Sequence, residues 1–575
     1  MNKPIILVLI WLLTFTGSGF AAQPYKAGFV TQNTKTGFLV LAPDRGFVGN
    51  EEINAVFKQF KKEYPSSLAF IGRSYNGMDS EYSNYIERAI SELIQQGVSD
   101  IVAFPLFFSS SNPILNKVKR HLPIHKSAEK VRWANPMSQS YLMSQVLLDR
   151  VVEISNVPQQ EKLVVLGMGA VDEKSEKTIR RELEKLIAYV KTQKPFQETQ
   201  VEVYYNRGAA LHKLKNKEVD EAVIHVAARK GNTLLVPFFI GPKFSNMMSM
   251  THWLGQKFDD LNLVYNQKAI FPHPNVLTWM KKTANDFIPI KKDEVGIVIM
   301  PHGATQPYND AVEKTIEPLR KMYKIEMAYG MGDSGTIQHA VSKLEQQGIK
   351  KIVFVRMYSL SRQFRDKTDY ILGIRDHLPE GWEGSTPKKI RTSAVIKSFG
   401  GYEEDILTAE ILMERIKEVS KKPSEETIVL LAHGAKEDQD DIAWRNTMKI
   451  NIDWIKKQFK TPFKGIVALT LREDWQGKRE VALKEIRKVI EKESRSGKVL
   501  VIANRLYGSG PYSELLKGLD YQINKKGFAP HPNLTRWLEN GIEKAIGTKI
   551  SVAPPLAEIK GEKFSQVSPT VLIDQ

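Results

Sequence analysis

The feature that most constrains this 575-residue chain is that it repeats itself. The segment FPHPNVLTWM begins at Phe271 and FAPHPNLTRWL at Phe528, and their histidines, His273 and His531, stand 258 positions apart. VLAPD, from Val40 to Asp44, and VIMPH, from Val298 to His302, carry the same offset of 258. Two independent anchors sharing one offset mean that one half of the chain is a copy of the other.

Each half is doubled again. LVLAPDRG at Leu39, VVLGMGA at Val164, IVIMPHGA at Ile297 and VLLAHGA at Val429 are runs of Leu and β-branched residues closed by Gly or Pro. Such runs predict buried parallel strands that turn into helices. After the first, Ile53, Val56, Phe57 and Phe60 follow helical spacing, with Asn50 as the expected N-cap and Glu51 and Glu52 in the first turn. IERAISELIQQGVSDIVAFPLFF from Ile86 lines up with IQHAVSKLEQQGIKKIVFVRMYS from Ile337, an amphipathic helix closed by Gly97 or Gly348 before a strand. Gly231 before NTLLVPFFIG and Gly497 before KVLVIANRLYG repeat the arrangement more loosely. Strands alternating with helices in this way make βαβ crossovers and parallel sheets covered on both faces. The reading is α/β, with four lobes at 36–157, 160–288, 293–420 and 425–547. Beyond them, 548–575 holds Pro554-Pro555 and loses periodicity, as an extended arm or a disordered tail would.

Composition narrows the function classes. Hydrophobic residues make up 42% and charged residues 26%, so the chain has enough apolar surface for folded domains almost throughout. Lys3, the apolar run Ile5 to Phe15 and the small residues up to Ala21-Ala22 have the order of an export signal over 1–22. The expected location is therefore periplasmic or extracellular, and no later stretch reads as membrane-spanning. With no cysteine, disulfides, thiolate zinc sites, iron–sulfur clusters and covalent haem attachment are excluded, so a metal must be held by His, carboxylate or backbone oxygen. The formal charge of +17 favours anionic partners, but the basic residues are not clustered among aromatics and no nucleic-acid motif is present.

A strand ending in small-His-Gly, a helix ending in Gly, an IV-x-x-P-L-F strand and a PHP before an amphipathic helix recur here as VIMPHGA, LLAHGA, IVAFPLFF, LLVPFF, FPHPNVLTWM and FAPHPNLTRWL. In this order they resemble the class II chelatases, of the sirohydrochlorin cobalt/iron chelatase type. The resemblance spans nearly the whole mature chain and implies flavodoxin-like lobes paired into two tandem bilobal modules. It further implies insertion of a divalent metal (cobalt, nickel or iron) into a polycarboxylate tetrapyrrole bound between lobes, with no covalent cofactor. Open α/β sheets bind ligands outside the carboxyl ends of their strands, where the small-His-Gly turns would lie.

Metal insertion needs a loose ligand set and a base for two pyrrole protons, and neutral imidazole serves both purposes. His302 and His433, followed by Gly303 and Gly434, match the family's first active-site histidine, as metal ligands and catalytic groups. The alternative is that each merely caps its strand. Lobe one has Asp44 at this turn, which could still bind a hard cation, and lobe two has Met168, which could not replace imidazole for that purpose, so lobe two is expected to have lost the site. The family's second histidine, a few residues past the P-L-F strand, is absent from the loops SSSNPI at Ser109, GPKFSN at Gly241, SLSRQFRDK at Ser359 and GSGPYS at Gly508. Arg356, Arg362 and Arg365 in lobe three and Arg472 in lobe four are the expected substrate-binding residues, because guanidinium pairs with carboxylate. The other reading of the lobe-three arginines is a solvated face paired with Asp366 and Asp369. Glu473 matches a family carboxylate only loosely, and the Pro-flanked His273 and His531 shape a turn or bind metal. GDSG at Gly332 opens a helix, so Asp333 or Ser334 reads as an N-cap rather than as part of a protease site. Two functions follow: a chelatase-like protein, or a non-catalytic extracytoplasmic protein that binds metal or tetrapyrrole at degenerate sites.

Overall fold

The computed structural model describes residues 35–124, 131–206, 210–241 and 250–547. The expected signal at 1–22, the tail at 548–575 and the lobe-two loop after Gly241 lie outside the described residues.

Lobe one contains β1 (Thr36–Pro43), α1 (Gly46–Lys61), β2 (Ser66–Ile71), α2 (Glu81–Gln95), β3 (Asp100–Pro105), α3 (Pro113–His121), β4 (Arg132–Trp133) and α4 (Tyr141–Val152). Lobe two follows with β5 (Glu161–Ala170), α5 (Glu173–Gln193), β6 (Glu198–Tyr205), α6 (Ala210–Ala228), β7 (Asn232–Pro237), α7 (Met250–Lys257), β8 (Leu263–Tyr265) and α8 (Pro274–Phe287). Lobe three has β9 (Val295–Met300), α9 (Gln306–Arg320), β10 (Lys324–Met327), α10 (Ser334–Gln346), β11 (Lys351–Arg356), α11 (Arg365–Ile371), β12 (Val395–Gly400) and α12 (Ile406–Lys417). Lobe four has β13 (Glu426–Ala432), α13 (Asp438–Gln458), β14 (Gly465–Thr470), α14 (Gln476–Ser494), β15 (Lys498–Asn504), α15 (Tyr512–Leu515), β16 (Gln522–Asn524) and α16 (Pro532–Ile546).

All four sheets share one topology: β2-β1-β3-β4, β6-β5-β7-β8, β10-β9-β11-β12 and β14-β13-β15-β16, with every pairing parallel. The first strand of each lobe is central, with the second on one side and the third on the other. The chain therefore reverses direction across the sheet beside the first strand's carboxyl end, which is where a crevice opens in such folds. His302 and His433 stand at those ends in lobes three and four.

Packing pairs the lobes. One apolar cluster joins both lobes of the first half, from Phe38 and Phe60 to Trp279 and Ala284. A second joins lobes three and four, from Val295 and Leu319 to Trp537 and Ile542. Each lobe keeps a smaller core of its own on the other face of its sheet. The four lobes are thus two bilobal modules in tandem.

The duplicated PHP segments make this pairing possible. α8 leaves lobe two and packs on α1 and α4 of lobe one, where the Trp279 ring meets Phe104 edge-on at 5.0 Å. α16 does the same to lobe three, with Trp537 against Phe399 at 5.5 Å and Tyr402 at 6.0 Å. His273 caps α8 by accepting the Asn275 N–H on Nδ1 at 3.1 Å, and its Nε2 meets Asp149 of α4 at 3.1 Å. His531 caps α16 in the same way, through Asn533 at 3.1 Å and Glu414 of α12 at 2.8 Å. With Nδ1 accepting, Nε2 carries the proton and donates to the carboxylate. Both nitrogens are therefore occupied, and the turn-shaping reading of these histidines is the one the structure supports.

One expected boundary is corrected. α1 starts at Gly46 with Arg45 as N-cap, not after Asn50. Asn50 is the fifth residue of the helix, just past its first turn, and its Oδ1 accepts the Arg45 N–H at 2.9 Å, a capping bond made from within the helix. The GDSG string behaves as an N-cap: Asp333 Oδ1 accepts the Thr336 N–H at 2.8 Å. The modules are joined by the irregular stretch between α11 and β12, whose Lys389 carbonyl accepts from Gln145 at 2.7 Å and whose Arg391 pairs with Asp149 at 2.6 Å.

Candidate functional site

The turn after β13 is the most built of the four. Gly434 adopts φ +85°, and a Cβ there would lie 2.9 Å from the Arg472 backbone nitrogen and 2.9 Å from Asp441 Oδ1, so only glycine fits. The His433 Nδ1–H donates to the Gly434 carbonyl at 2.9 Å, which leaves Nε2 facing outward. Nε2 lies 3.1 Å from Asp474 Oδ2. The ring itself sits between two indoles, stacked at 21° on Trp444 (6.3 Å) and edge-on to Trp475 (5.9 Å). Two ligands bound at about 2.1 Å in a tetrahedral array are separated by about 3.4 Å, so this imidazole and carboxylate have nearly the spacing of neighbours on one ion.

Asp474 is the site residue that sequence reasoning missed. Its neighbour Glu473, the carboxylate that the sequence singles out, is spent on an ion pair with Arg505. The signal was present in LREDW as a second carboxylate, but which of two adjacent acids faces the histidine is decided by the turn. That turn is unusual, because Arg472 takes a left-handed φ of 55°. Its guanidinium donates to the Ala435 carbonyl at 2.8 Å, to Asp438 at 2.6 Å and to the Lys436 carbonyl. Arg472 thus ties the β14 turn to the β13 turn and holds Asp474 at His433.

His302 is exposed, and its Nδ1–H donates to the Gly303 carbonyl at 2.7 Å, again leaving Nε2 outward. Its turn borders lobe four: the Tyr308 ring, two turns of chain later, meets Tyr507 of the loop after β15 at 6.4 Å. In return Arg362, after β11, pairs with Asp440 at the start of α13 at 3.1 Å. Both histidine turns therefore lie along the lobe three–lobe four boundary. Among the described residues, no group of three or more His, Asp or Glu side chains converges where an ion could sit.

The lobe-three arginines have diverged in environment. Arg356 is buried at 3% exposure and donates to Asp369 at 3.4 Å and Ser398 at 3.1 Å, so burial, the largest influence, lowers its pKa while Asp369 opposes. Arg362 bridges to lobe four as described. Arg365, with a side chain 61% exposed, pairs loosely with Asp369 at 3.6 Å and is the freest of the three.

In module one the corresponding turns are differently used. Burial raises the Asp44 carboxyl, but hydrogen bonds from Asn50, Gly46 and Tyr82 outweigh it and hold the group below the usual range. Met168 packs against the private core of lobe two. In place of the missing second histidine, Ser110 of lobe one donates to Glu182 of α5 at 2.8 Å across the lobe boundary.

Behind His433 lies a buried polar cluster. Glu403, in the turn Tyr402–Glu404 before α12, is fully buried. Its Oε2 accepts from Trp444 Nε1 at 2.9 Å and Asn504 Nδ2 at 2.7 Å, and its carbonyl accepts from Asn451 at 3.2 Å. Burial pushes its carboxyl up to about 7 against the opposing pull of the Ser359, Asn504 and Trp444 donors.

Paired lobes of four-stranded parallel α/β topology are consistent with tandem chelatase-like modules. A family model described as CbiX, of the class II, sirohydrochlorin chelatase type, matches residues 47–154, from α1 to just past α4, so this stretch of the chain is similar to that family. The match falls on lobe one, whose strand-end turn carries Asp44 in place of histidine. No curated protein matches the chain.

Proposed function

We propose that lobes three and four bind a divalent first-row metal ion at their boundary and present it to a polycarboxylate tetrapyrrole, outside the cytoplasm. The observation that carries this reading is the His433–Asp474 pair, 3.1 Å apart and walled by Trp444 and Trp475. Nε2 of His433 and Oδ2 of Asp474 are the metal ligands, an N/O set suited to cobalt, nickel or iron. Insertion replaces two pyrrole N–H protons by the ion, so two protons must leave. The outward Nε2 of His302, whose other nitrogen is fixed as an N–H by Gly303, is a base of suitable type to accept one, and the second passes to the solvent water that reaches this exposed turn. Arg365 and Arg362 at the rim would meet the peripheral carboxylates. The export signal read at 1–22 supports a site outside the cytoplasm.

A second reading, a non-catalytic carrier of metal or tetrapyrrole, is favoured by the export signal read at 1–22 and by the loops SSSNPI, GPKFSN, SLSRQFRDK and GSGPYS, which carry no second histidine. Titration of the mature protein with cobalt(II), beside His302→Ala, His433→Ala and Asp474→Ala, tests the site. Loss of binding in His433→Ala and Asp474→Ala is expected, and unchanged binding in both refutes it. Sirohydrochlorin absorbance separates the two readings: conversion to the metallated form with cobalt(II) supports the chelatase, and binding without conversion supports the carrier.

A further inference from the structure

The two modules are duplicates, so each position in one has a counterpart in the other, and the differences locate what module two has added. Ser138 occupies the place of Glu403, as the middle residue of the short turn before α4. Ile179 and Leu186 hold the steps of α5 that Trp444 and Asn451 hold in α13. Phe238, in edge contact with Phe108 at 5.7 Å, stands where lobe four has Asn504 at the end of β15. Module one therefore fills this place with apolar side chains and one small hydroxyl. Module two fills it with a carboxylic acid, two amides and an indole, all buried.

Burying polar groups is costly unless their hydrogen bonds are made, so an apolar plug would serve packing alone at lower cost. The polar version does something the apolar one does not. The acid belongs to lobe three, and the donors that hold it, Trp444 and Asn504 on its Oε2 and Asn451 on its carbonyl, all belong to lobe four. Trp444 is also the indole on whose face the His433 ring lies. A continuous path runs from Glu403 through the Trp444 N–H to the plane of His433, and it exists only in the module that carries the histidines.

We propose that Glu403 is a positioning residue for the lobe-four metal site: by fixing the Trp444 indole it orients His433, and it ties that orientation to the lobe three–lobe four contact. This rests on the reading of His433 as a metal ligand. Partners that orient a ligating histidine change metal affinity about 10–100-fold when removed.

The test is cobalt(II) binding to the full mature chain, followed by the visible d–d absorption of the bound ion, for the wild type, Glu403→Ala, Glu403→Gln and Trp444→Phe. Glu403→Ala is expected to weaken binding about 10–100-fold and to change the d–d band shape. Glu403→Gln keeps an oxygen for the Trp444 and Asn504 donors and should restore wild-type affinity to within about threefold and the wild-type spectrum. Trp444→Phe keeps an aromatic wall but loses the N–H, and is expected to behave like Glu403→Ala; it decides the matter if Glu403→Ala does not fold. Folded Glu403→Ala or Trp444→Phe protein with wild-type affinity and spectrum would overturn the inference. A wild type that binds no cobalt(II), or binding untouched by His433→Ala, removes the metal reading itself and the inference with it, an outcome distinct from the first.

Discussion

The substitution Glu403→Gln should reshape the pH dependence of stability as well as leave the metal site intact. In the folded protein burial lifts this carboxyl from its ordinary 4.5 to about 7. Each unit of difference corresponds to about 1.4 kcal/mol, so the full effect is about 3 kcal/mol. The side chain is fully buried, and water does not screen that term away. Because the folded state binds the proton more tightly than the unfolded state, the contribution is fully present below about pH 4.5. It is lost as pH rises to about 7, and above that the wild type carries a buried anion. Glutamine occupies the same volume, offers an oxygen to Trp444 and Asn504, and never ionises. At pH 8 the variant should therefore unfold with up to about 3 kcal/mol more difficulty than the wild type, and at pH 4.5 the two should differ little. Urea denaturation of the full chain, read from the transition that involves lobes three and four, measures the difference between pH 4.5 and pH 8. Parallel curves for the two proteins across that range, or a variant less stable at pH 8, would refute the assignment of a buried acid whose carboxyl is raised by burial.

Three further substitutions probe the frame around the site. Trp279→Ala empties a largely buried indole from the lobe one–lobe two core and should cost module one about 3–5 kcal/mol by chemical denaturation, with the module-two transition unmoved. Gly434→Ala, at φ +85° and with its Cβ 2.9 Å from the Arg472 nitrogen, should destabilise by about 1–3 kcal/mol and lower cobalt(II) affinity by displacing His433; unchanged affinity would show that the turn does not set the histidine. His273→Ala removes the α8 cap and its bond to Asp149, and should cost about 1 kcal/mol in thermal unfolding while leaving cobalt(II) binding at its wild-type value.

Much of the architecture was legible without coordinates. The offset of 258 between His273 and His531, the strand runs closed by Gly or Pro, and the Gly97 and Gly348 helix ends are short-range signals. They depend on backbone preferences and on a period of two or 3.6, which each segment expresses by itself. They led to four lobes of parallel α/β structure, and the sheets have that form. His302 and His433 could be placed at strand ends for the same reason, since a run of apolar residues stops where the turn begins.

Tertiary structure decided which side chains meet. That Trp279 would fill the core of lobe one, 175 positions from Phe104, and that α16 would close over lobe three, depends on two lobes burying one shared apolar face. That Asp474 rather than Glu473 faces His433 depends on a left-handed Arg472 anchored across to the β13 turn. Arg356 reads like Arg365 in sequence, yet one is sealed against Asp369 and the other stands in solvent, because β11 ends at the first and α11 begins at the second. Local chemistry writes where a strand stops, but the partner of the residue at its end is chosen by packing between segments far apart in the chain, and no short stretch of sequence contains that choice.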